Sequence, residues 1–227
     1  MNLWNTLAFA VFPYLALTTF AVGHLYRYIT DPFGWNSKSS ELLDKGGLKY
    51  GITIFHWGII LALIGHGGGL LIPQRYYDAL GFDSQAHTLI AIIVGFIVGV
   101  AAFLGLVLLA WRRISQKRIF ATTTLNDFVT LCLLLFVVGA GLANVILGIF
   151  RHFNVLNTVA PWLRGIVTLT PDPALMLTVP TSYKIHILSA LALIGFSPFS
   201  RLVHMWSAPV TYLFRRWIVF RRREVNI

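Results

Sequence analysis

Residues 55–69 read FHWGIILALIGHGGG, an apolar run without formal charge that nevertheless contains two histidines. The run lies inside a longer apolar segment from Tyr50 to Ile72. A helix needs roughly 20 mostly apolar residues to cross a bilayer, and a titratable side chain in hydrocarbon is costly and usually has a task. These residues therefore predict a membrane-spanning helix whose histidines carry chemistry.

The rest of the chain is similarly apolar. Of its 227 residues, 57% are hydrophobic and 11% are charged, and the mean hydropathy is +0.74, which excludes an ordinary soluble domain. The net charge of +10 does not indicate a nucleic-acid partner, because the basic residues lie between and after the apolar segments. The single cysteine, Cys132, lies in an apolar run and offers neither a disulfide nor a thiolate metal site.

The apolar segments predict an all-α membrane protein built as a bundle of five transmembrane helices. A proline-containing connection between the last two segments is expected to hold a short surface helix around Trp162. The five predicted spans are Leu3 to Tyr26, Tyr50 to Ile72, His87 to Trp111, Phe128 to Phe150 and Tyr183 to Trp206.

The distribution of lysine and arginine predicts the orientation, since short basic loops stay on the cytoplasmic side. The loops after the first and third spans and the C-terminal tail are basic, which places the N-terminus outside and the C-terminus in the cytoplasm. We expect a membrane domain over residues 1–214 and a basic cytoplasmic tail over 215–227, which docks partner subunits or anionic lipid. Thr124 and Asp127 fit a capping arrangement that starts the fourth span.

Four histidines form a pattern across two spans. The second span carries His56 and His66, and the fifth carries His186 and His204. Because the two spans run in opposite directions, each presents one histidine at each of two depths. This arrangement suits axial ligation of two haem irons, with His56 and His204 on the cytoplasmic side and His66 and His186 outside.

The helical rise tests this pairing. At about 1.5 Å per residue, the step from His56 to His66 is roughly 15 Å, whereas that from His186 to His204 is roughly 27 Å. Tilt, side-chain lean and a kink at Pro198 are expected to absorb the difference. The glycines around His66, among them Gly65 and Gly69, would let a flat macrocycle approach the backbone, although glycines also serve close helix packing.

Other residues are weaker candidates. Arg201 and Lys184 flank the fifth-span histidines, where a cation could pair with a haem propionate, and Arg112 joins Arg201 among the expected cofactor-binding residues. His87, near the depth of His66, is equally consistent with a quinone contact and with a helix-end histidine. His24 is expected at the membrane interface, and His152 is expected to be solvated.

Three stretches resemble the gamma subunit of membrane-bound respiratory nitrate reductase: FHWGIILALIGHGGG, RRISQKRIFATTTLND at 112–127, and FSRLVHMWSAPVTYL around His204. The resemblance implies a five-helix cytochrome b with two b-type haems, with the histidine pairs above as ligands. It implies quinol oxidation near the outer haem and electron transfer to an iron-sulfur (beta) subunit and a molybdenum catalytic (alpha) subunit. The expected location is the cytoplasmic (inner) membrane of a bacterium or archaeon.

The sequence departs from the family at one point. Where a lysine of a well-studied bacterial member is implicated in quinol binding, this chain has Gln85-Ala86-His87. The quinone contact is therefore assigned to His87 and Gly65 only as a hypothesis.

Three alternatives remain open at this level. A nitrite-oxidising complex would use the same scaffold with electrons flowing outward, and haem potentials with a quinol assay would separate the two directions. A histidine-based transporter or proton channel predicts no haem absorbance. A purely structural anchor for partner subunits predicts that replacement of His66 leaves electron transfer intact.

Overall fold

The computed structural model describes residues 2–31, 35, 48–151 and 153–206, and within them every regular element is helical. The predicted tail over 215–227 and His152 lie outside the described residues. The helices, numbered here in chain order, are α1 (Leu3–Thr30), α2 (Leu48–His66), α3 (Gln74–Ala79), α4 (Ser84–Ser115), α5 (Lys117–Ala121), α6 (Leu125–Arg151), α7 (Val159–Val167) and α8 (Thr181–Phe196).

Four of these helices are long and apolar enough to cross a membrane, namely α1, α2 with its extension, α4 and α6. They correspond to the first four predicted spans. Two of them contain a π-helical turn, over Leu7–Val11 in α1 and over Gly67–Leu71 at the end of α2. The turn in α1 precedes Pro13, which has no N–H to continue the regular hydrogen-bond pattern.

The fifth predicted span is a shorter helix. Instead of one helix from Tyr183 to Trp206, α8 ends at Phe196 after 16 residues, about 24 Å of rise. Two 3-10 segments follow, Ser197–Phe199 and Arg201–Met205, separated by an extended Ser200. The prediction was therefore wrong for the last part of this span, because Pro198 ends the helix rather than kinking it.

Helices α2 and α4 approach each other closely through glycine. A Cβ atom added at Gly58 would lie 2.5 Å from the backbone nitrogen of Ala102, and one added at Gly105 would collide with the backbone of Phe55. Small residues at such positions let helix backbones come together in a membrane. The contact fixes the part of α2 that carries His56.

The connection between α6 and α8 folds against the first helix. The helix predicted around Trp162 exists as α7, but Trp162 is buried, with 2% of its surface exposed, so it is not a surface residue. Its indole Nε1–H donates to the carbonyl of Phe9 over 2.8 Å. A buried apolar cluster surrounds this bond, formed by Phe9, Val159, Trp162, Ile166, Met176 and Val179.

The capping arrangement predicted at the start of the fourth span is confirmed. The Thr124 N–H donates to the Asp127 carboxylate over 3.0 Å, and the Asp127 N–H donates to the Thr124 hydroxyl over 3.3 Å. Reciprocal bonds of this kind satisfy backbone donors that a helix start leaves without partners. Helix α6 accordingly begins at Leu125.

The close α2–α4 contact can be tested by adding one methyl group. Gly58→Ala places a Cβ against the backbone of Ala102, which cannot rotate away, so we expect a loss of about 1–3 kcal/mol of stability. Thermal unfolding in detergent measures the loss. The matched control is Gly95→Ala in α4, whose added Cβ would meet only Val145 at an ordinary 3.5 Å; equal stability of the two variants would contradict the proposed packing.

Candidate functional site

The structure brings the four histidines together in two pairs. The ring centroids of His56 and His204 are 6.0 Å apart with 60° between the ring planes, and those of His66 and His186 are 6.2 Å apart with 37°. Helix α2 packs against α4, whereas α8 packs against α6 and α1. The His66–His186 pair thus joins α2 and α8, whose main packing partners lie elsewhere, and the His56–His204 pair joins α2 to the 3-10 segment after α8.

The end of α8 at Phe196 explains why both pairs can form. From His186 to Phe196 the chain is helical for ten steps, about 15 Å, which equals the rise from His56 to His66. The chain then turns through Ser197–Phe199, so His204 does not continue away along the helix axis. The mismatch noted in the sequence is therefore removed by the turn at Pro198.

Each of the four imidazoles is oriented by a backbone carbonyl at its Nδ1 atom. A carbonyl oxygen only accepts, so Nδ1 carries the proton in every case and Nε2 keeps a lone pair. Lone pairs on Nε2 are what two axial ligands must offer a metal, and the Nδ1 bond fixes the ring direction. The four bonds are His56 to Ile52 at 2.9 Å, His66 to Ala62 at 2.7 Å, His186 to Val137 at 3.0 Å and His204 to Arg201 at 2.7 Å.

The spacing of the pairs fits an iron atom between two imidazoles. With metal–nitrogen bonds of about 2 Å and a ring nitrogen about 1 Å from its centroid, two axial imidazoles have centroids about 6 Å apart. In the described part of the chain, no group of three or more histidine, cysteine or acidic side chains could hold a metal ion. Paired imidazoles without further donors suit haem iron better than a tetrahedral zinc site.

The glycines around His66 have different surroundings. A Cβ added at Gly65 or Gly67 would meet no atom within 4 Å, so the face beside His66 has room for a flat group. Gly69 instead lies against His87, whose Nε2 would be 3.5 Å from an added Cβ. The expectation that both Gly65 and Gly69 face a macrocycle therefore has geometric support at Gly65 only.

Gly141 in α6 is a site residue that the sequence analysis missed. An added Cβ there would lie 2.9 Å from Cε1 of His186, so only glycine leaves room for this ring. It lies one helical turn after Val137, whose carbonyl binds the same imidazole. The small residues Gly139-Ala140-Gly141 inside an apolar segment are the signal that could have revealed it.

His87 is buried beside the glycine turn at the end of α2. Its Nδ1 lies 2.7 Å from Oε1 of Gln74, and its ring packs on Tyr77 with 4.5 Å between centroids. The Gln74 amide nitrogen donates to Asp78 and to the carbonyl of Phe82, which turns the amide oxygen toward His87. His87 Nδ1 therefore carries the proton, and the Nε2 lone pair is directed at Gly69.

The two arginines expected to contact a cofactor have different positions. Arg201 makes a two-point ion pair with Asp127 through Nε and Nη2, the latter 2.9 Å from Oδ2, and the Asp127 side chain is 4% exposed. The Arg201 carbonyl, not its charge, binds His204. Arg112 is buried near the end of α4, next to Arg113, which lies 3.6 Å from Asp127. The sequence analysis did not predict the Asp127–Arg201 pair.

The turn that leads to His204 is also held from two other helices. Arg27 of α1 donates to the carbonyl of Pro198 over 2.8 Å, and Asn126 of α6 donates to that of Phe199 over 2.8 Å.

The Lys184 ammonium donates to the carbonyl of Leu177 over 3.3 Å. His24, which is expected at the membrane interface, is buried within the protein, with 9% of its surface exposed.

Comparisons with known proteins agree with this architecture. The family model described as the nitrate reductase gamma subunit matches residues 5–223. A nitrate reductase gamma chain of Bacillus subtilis is 44% identical over 215 residues, covering 94% of this chain and 96% of its own. The respiratory nitrate reductase 2 gamma chain of Escherichia coli is 32% identical over 222 residues, covering 97% and 98%. A nitrate reductase-like protein NarX of Mycobacterium tuberculosis is 39% identical, with 35% of its length matched. The chain belongs to the nitrate reductase gamma subunit family.

Proposed function

We propose that this chain is the cytochrome b subunit of a membrane-bound nitrate reductase and holds two b-type haems, one in each histidine pair. The observation that carries the proposal is the geometry of the pairs: centroids 6.0 and 6.2 Å apart, with every Nδ1 bound to a carbonyl. Each haem, when bound, supplies a one-electron carrier. The chain's own residues hold, orient and separate the two carriers.

The proposed direction of electron flow begins with quinol at the outer haem. In its fixed tautomer, His87 Nε2 can accept a hydrogen bond from a quinol hydroxyl but cannot donate one to a quinone carbonyl. Gly69, against which Nε2 lies, is three residues after His66 in the chain, in the π-helical turn that follows α2. We propose that this atom accepts a hydrogen bond from quinol next to the outer-haem site; the direction of electron flow itself is set by the potentials of the two haems and of the quinone.

The proposed partners lie on the cytoplasmic face. Electrons pass from the outer to the inner haem and on to an iron-sulfur subunit and a molybdenum catalytic subunit, which carries out the nitrate chemistry. This route rests on the positive-inside orientation, with the N-terminus outside and the tail over 215–227 in the cytoplasm. It also requires α8 to act as the fifth span together with the segment that follows it. The location we propose is the bacterial or archaeal inner membrane.

The haem assignment predicts a count that falls one haem at a time. The purified complex should contain two b haems in this chain. A bis-histidine site loses its haem when one ligand is removed, so each single variant should keep one haem. The four variants are His66→Ala, His186→Ala, His56→Ala and His204→Ala. Reduced-minus-oxidised spectra with haem quantified per chain measure this. The matched control is His152→Ala, which should retain both haems. A colourless wild-type chain would support the transporter alternative and reject the proposal.

The role of His87 predicts a defect in quinol oxidation without loss of haem. His87→Phe removes the proton acceptor, and we expect the rate of haem reduction by quinol to fall about 100-fold, the lower end for loss of a general base. Gln74→Leu leaves the imidazole but frees its tautomer, so the expected loss is smaller, about tenfold. Stopped-flow reduction of the haems measures both rates.

The control for both variants is Arg75→Gln, next to Gln74 in α3. Among the described residues, the Arg75 guanidinium contacts the exposed side chain of Tyr76 and not His87. This variant should reduce its haems at the wild-type rate. If His87→Phe did the same with both haems in place, the quinol site would have to lie elsewhere.

A further inference from the structure

His24 is a buried histidine that the proposed electron path does not use. It lies in α1 among aromatic rings that come from separate parts of the chain. The ring centroids of Phe20, Trp35 and Trp206 are 4.7, 6.1 and 6.4 Å from that of His24, all with steep interplanar angles. These rings leave only 9% of the His24 surface exposed.

The indole of Trp35 determines which nitrogen of His24 carries the proton. Trp35 Nε1–H lies 3.2 Å from His24 Nδ1, and an indole N–H can only donate. Nδ1 must therefore hold a lone pair, so the proton of the neutral imidazole is on Nε2. That atom is fully buried and has no hydrogen-bond partner among the described residues. A buried donor without an acceptor costs about 1–3 kcal/mol, so a missing acceptor is the simplest explanation.

The charge next to His24 indicates what kind of acceptor it meets. Arg27 follows three residues later and thus lies on the same side of α1. Its guanidinium donates to the carbonyl of Pro198, so it contacts the turn that precedes His204. A donor N–H beside a guanidinium, enclosed by aromatic rings, suits an anionic oxygen acceptor.

Trp206 links the aromatic cluster around His24 to the proposed inner-haem ligand. Trp206, which packs edge-on against both His24 and Phe20, is two residues after His204, the proposed inner-haem ligand. Haem b carries two carboxylates on short flexible arms at one edge of its ring. These carboxylates are the anionic oxygens that the proposed function itself brings into this region.

We propose that the Nε2–H of His24 donates a hydrogen bond to a carboxylate of the inner haem, which makes His24 a cofactor-binding residue. The inference rests on the proposed function, because it requires a haem between His56 and His204. It assigns to α1 a direct contact with the inner haem, in addition to the contact between Arg27 and the turn at Pro198.

The test is the reduction potential of the inner haem in the intact complex. His24→Phe keeps an aromatic ring in the cluster but removes the donor, so the carboxylate charge acts more strongly on the iron and disfavours the reduced state. We expect the reduction equilibrium of the inner haem to change by up to tenfold, or about 59 mV toward lower potential for one electron. The outer haem should not change. His24→Gln, which offers an amide N–H, should recover part of the shift.

Three measurements accompany the titration. The haem content and thermal unfolding of each variant are compared with those of Val22→Ala, a change at a 59% exposed position of the same helix. Resonance Raman spectroscopy follows the bending band of the haem carboxylates, which should shift in His24→Phe, shift less in His24→Gln and stay unchanged in Val22→Ala. Single-haem variants at His56 and His66 assign the two potentials.

The outcomes separate this inference from the function beneath it. Two haems with unchanged potentials and an unchanged Raman band in His24→Phe would overturn it. The same result with loss of a co-purifying anionic phospholipid, detected by native mass spectrometry, would also overturn it and give the site to a lipid phosphate. A wild-type complex without haem in this subunit would reject the proposed function itself.

Discussion

The bond from Nδ1 of each of the four paired histidines to a backbone carbonyl is the interaction on which the site depends. Without it, an imidazole could present either nitrogen and rotate about its side-chain torsions, and two rings on different helices would not face each other reproducibly. Each bond contributes only about 1 kcal/mol in net terms. Its importance lies in direction, because it leaves Nε2 of every ring with a lone pair.

The carbonyls that make these bonds belong to different kinds of structure. In α2, His56 and His66 each donate to the carbonyl four residues earlier, which can accept a second hydrogen bond because an amide oxygen has two lone pairs. His186 instead reaches across to Val137 of α6, where Gly141 leaves room for its ring. His204 binds the carbonyl of Arg201, whose side chain is fixed by Asp127. Local helix geometry is therefore sufficient to orient two of the four paired imidazoles, whereas the other two need tertiary contacts.

The same division determines what could be predicted from sequence. The four long helices, the Thr124–Asp127 cap and the order of the histidines follow from hydropathy, capping chemistry and antiparallel span direction. The end of α8 did not follow, since Pro198 permits either a kink or a stop, and contacts from Arg27 and Asn126 stabilise the stop. Burial of His24 among three aromatic rings depends on Trp35, which lies beyond the end of α1, and on Trp206, near the other end of the chain. No local sequence pattern predicts these tertiary contacts.

The turn between Phe196 and Arg201 also has a consequence for biogenesis. Formation of the His66–His186 pair requires α2, α8 and α6, which are all regular helices. Helix α6 contributes the Val137 carbonyl that binds His186. The His56–His204 pair further requires a short 3-10 segment, whose position depends on side chains of α1 and α6. One site is thus complete once the helices have associated, whereas the other also requires the chain after α8 to be folded into place. The two histidine pairs therefore differ in how much of the polypeptide must fold before each pair is in place.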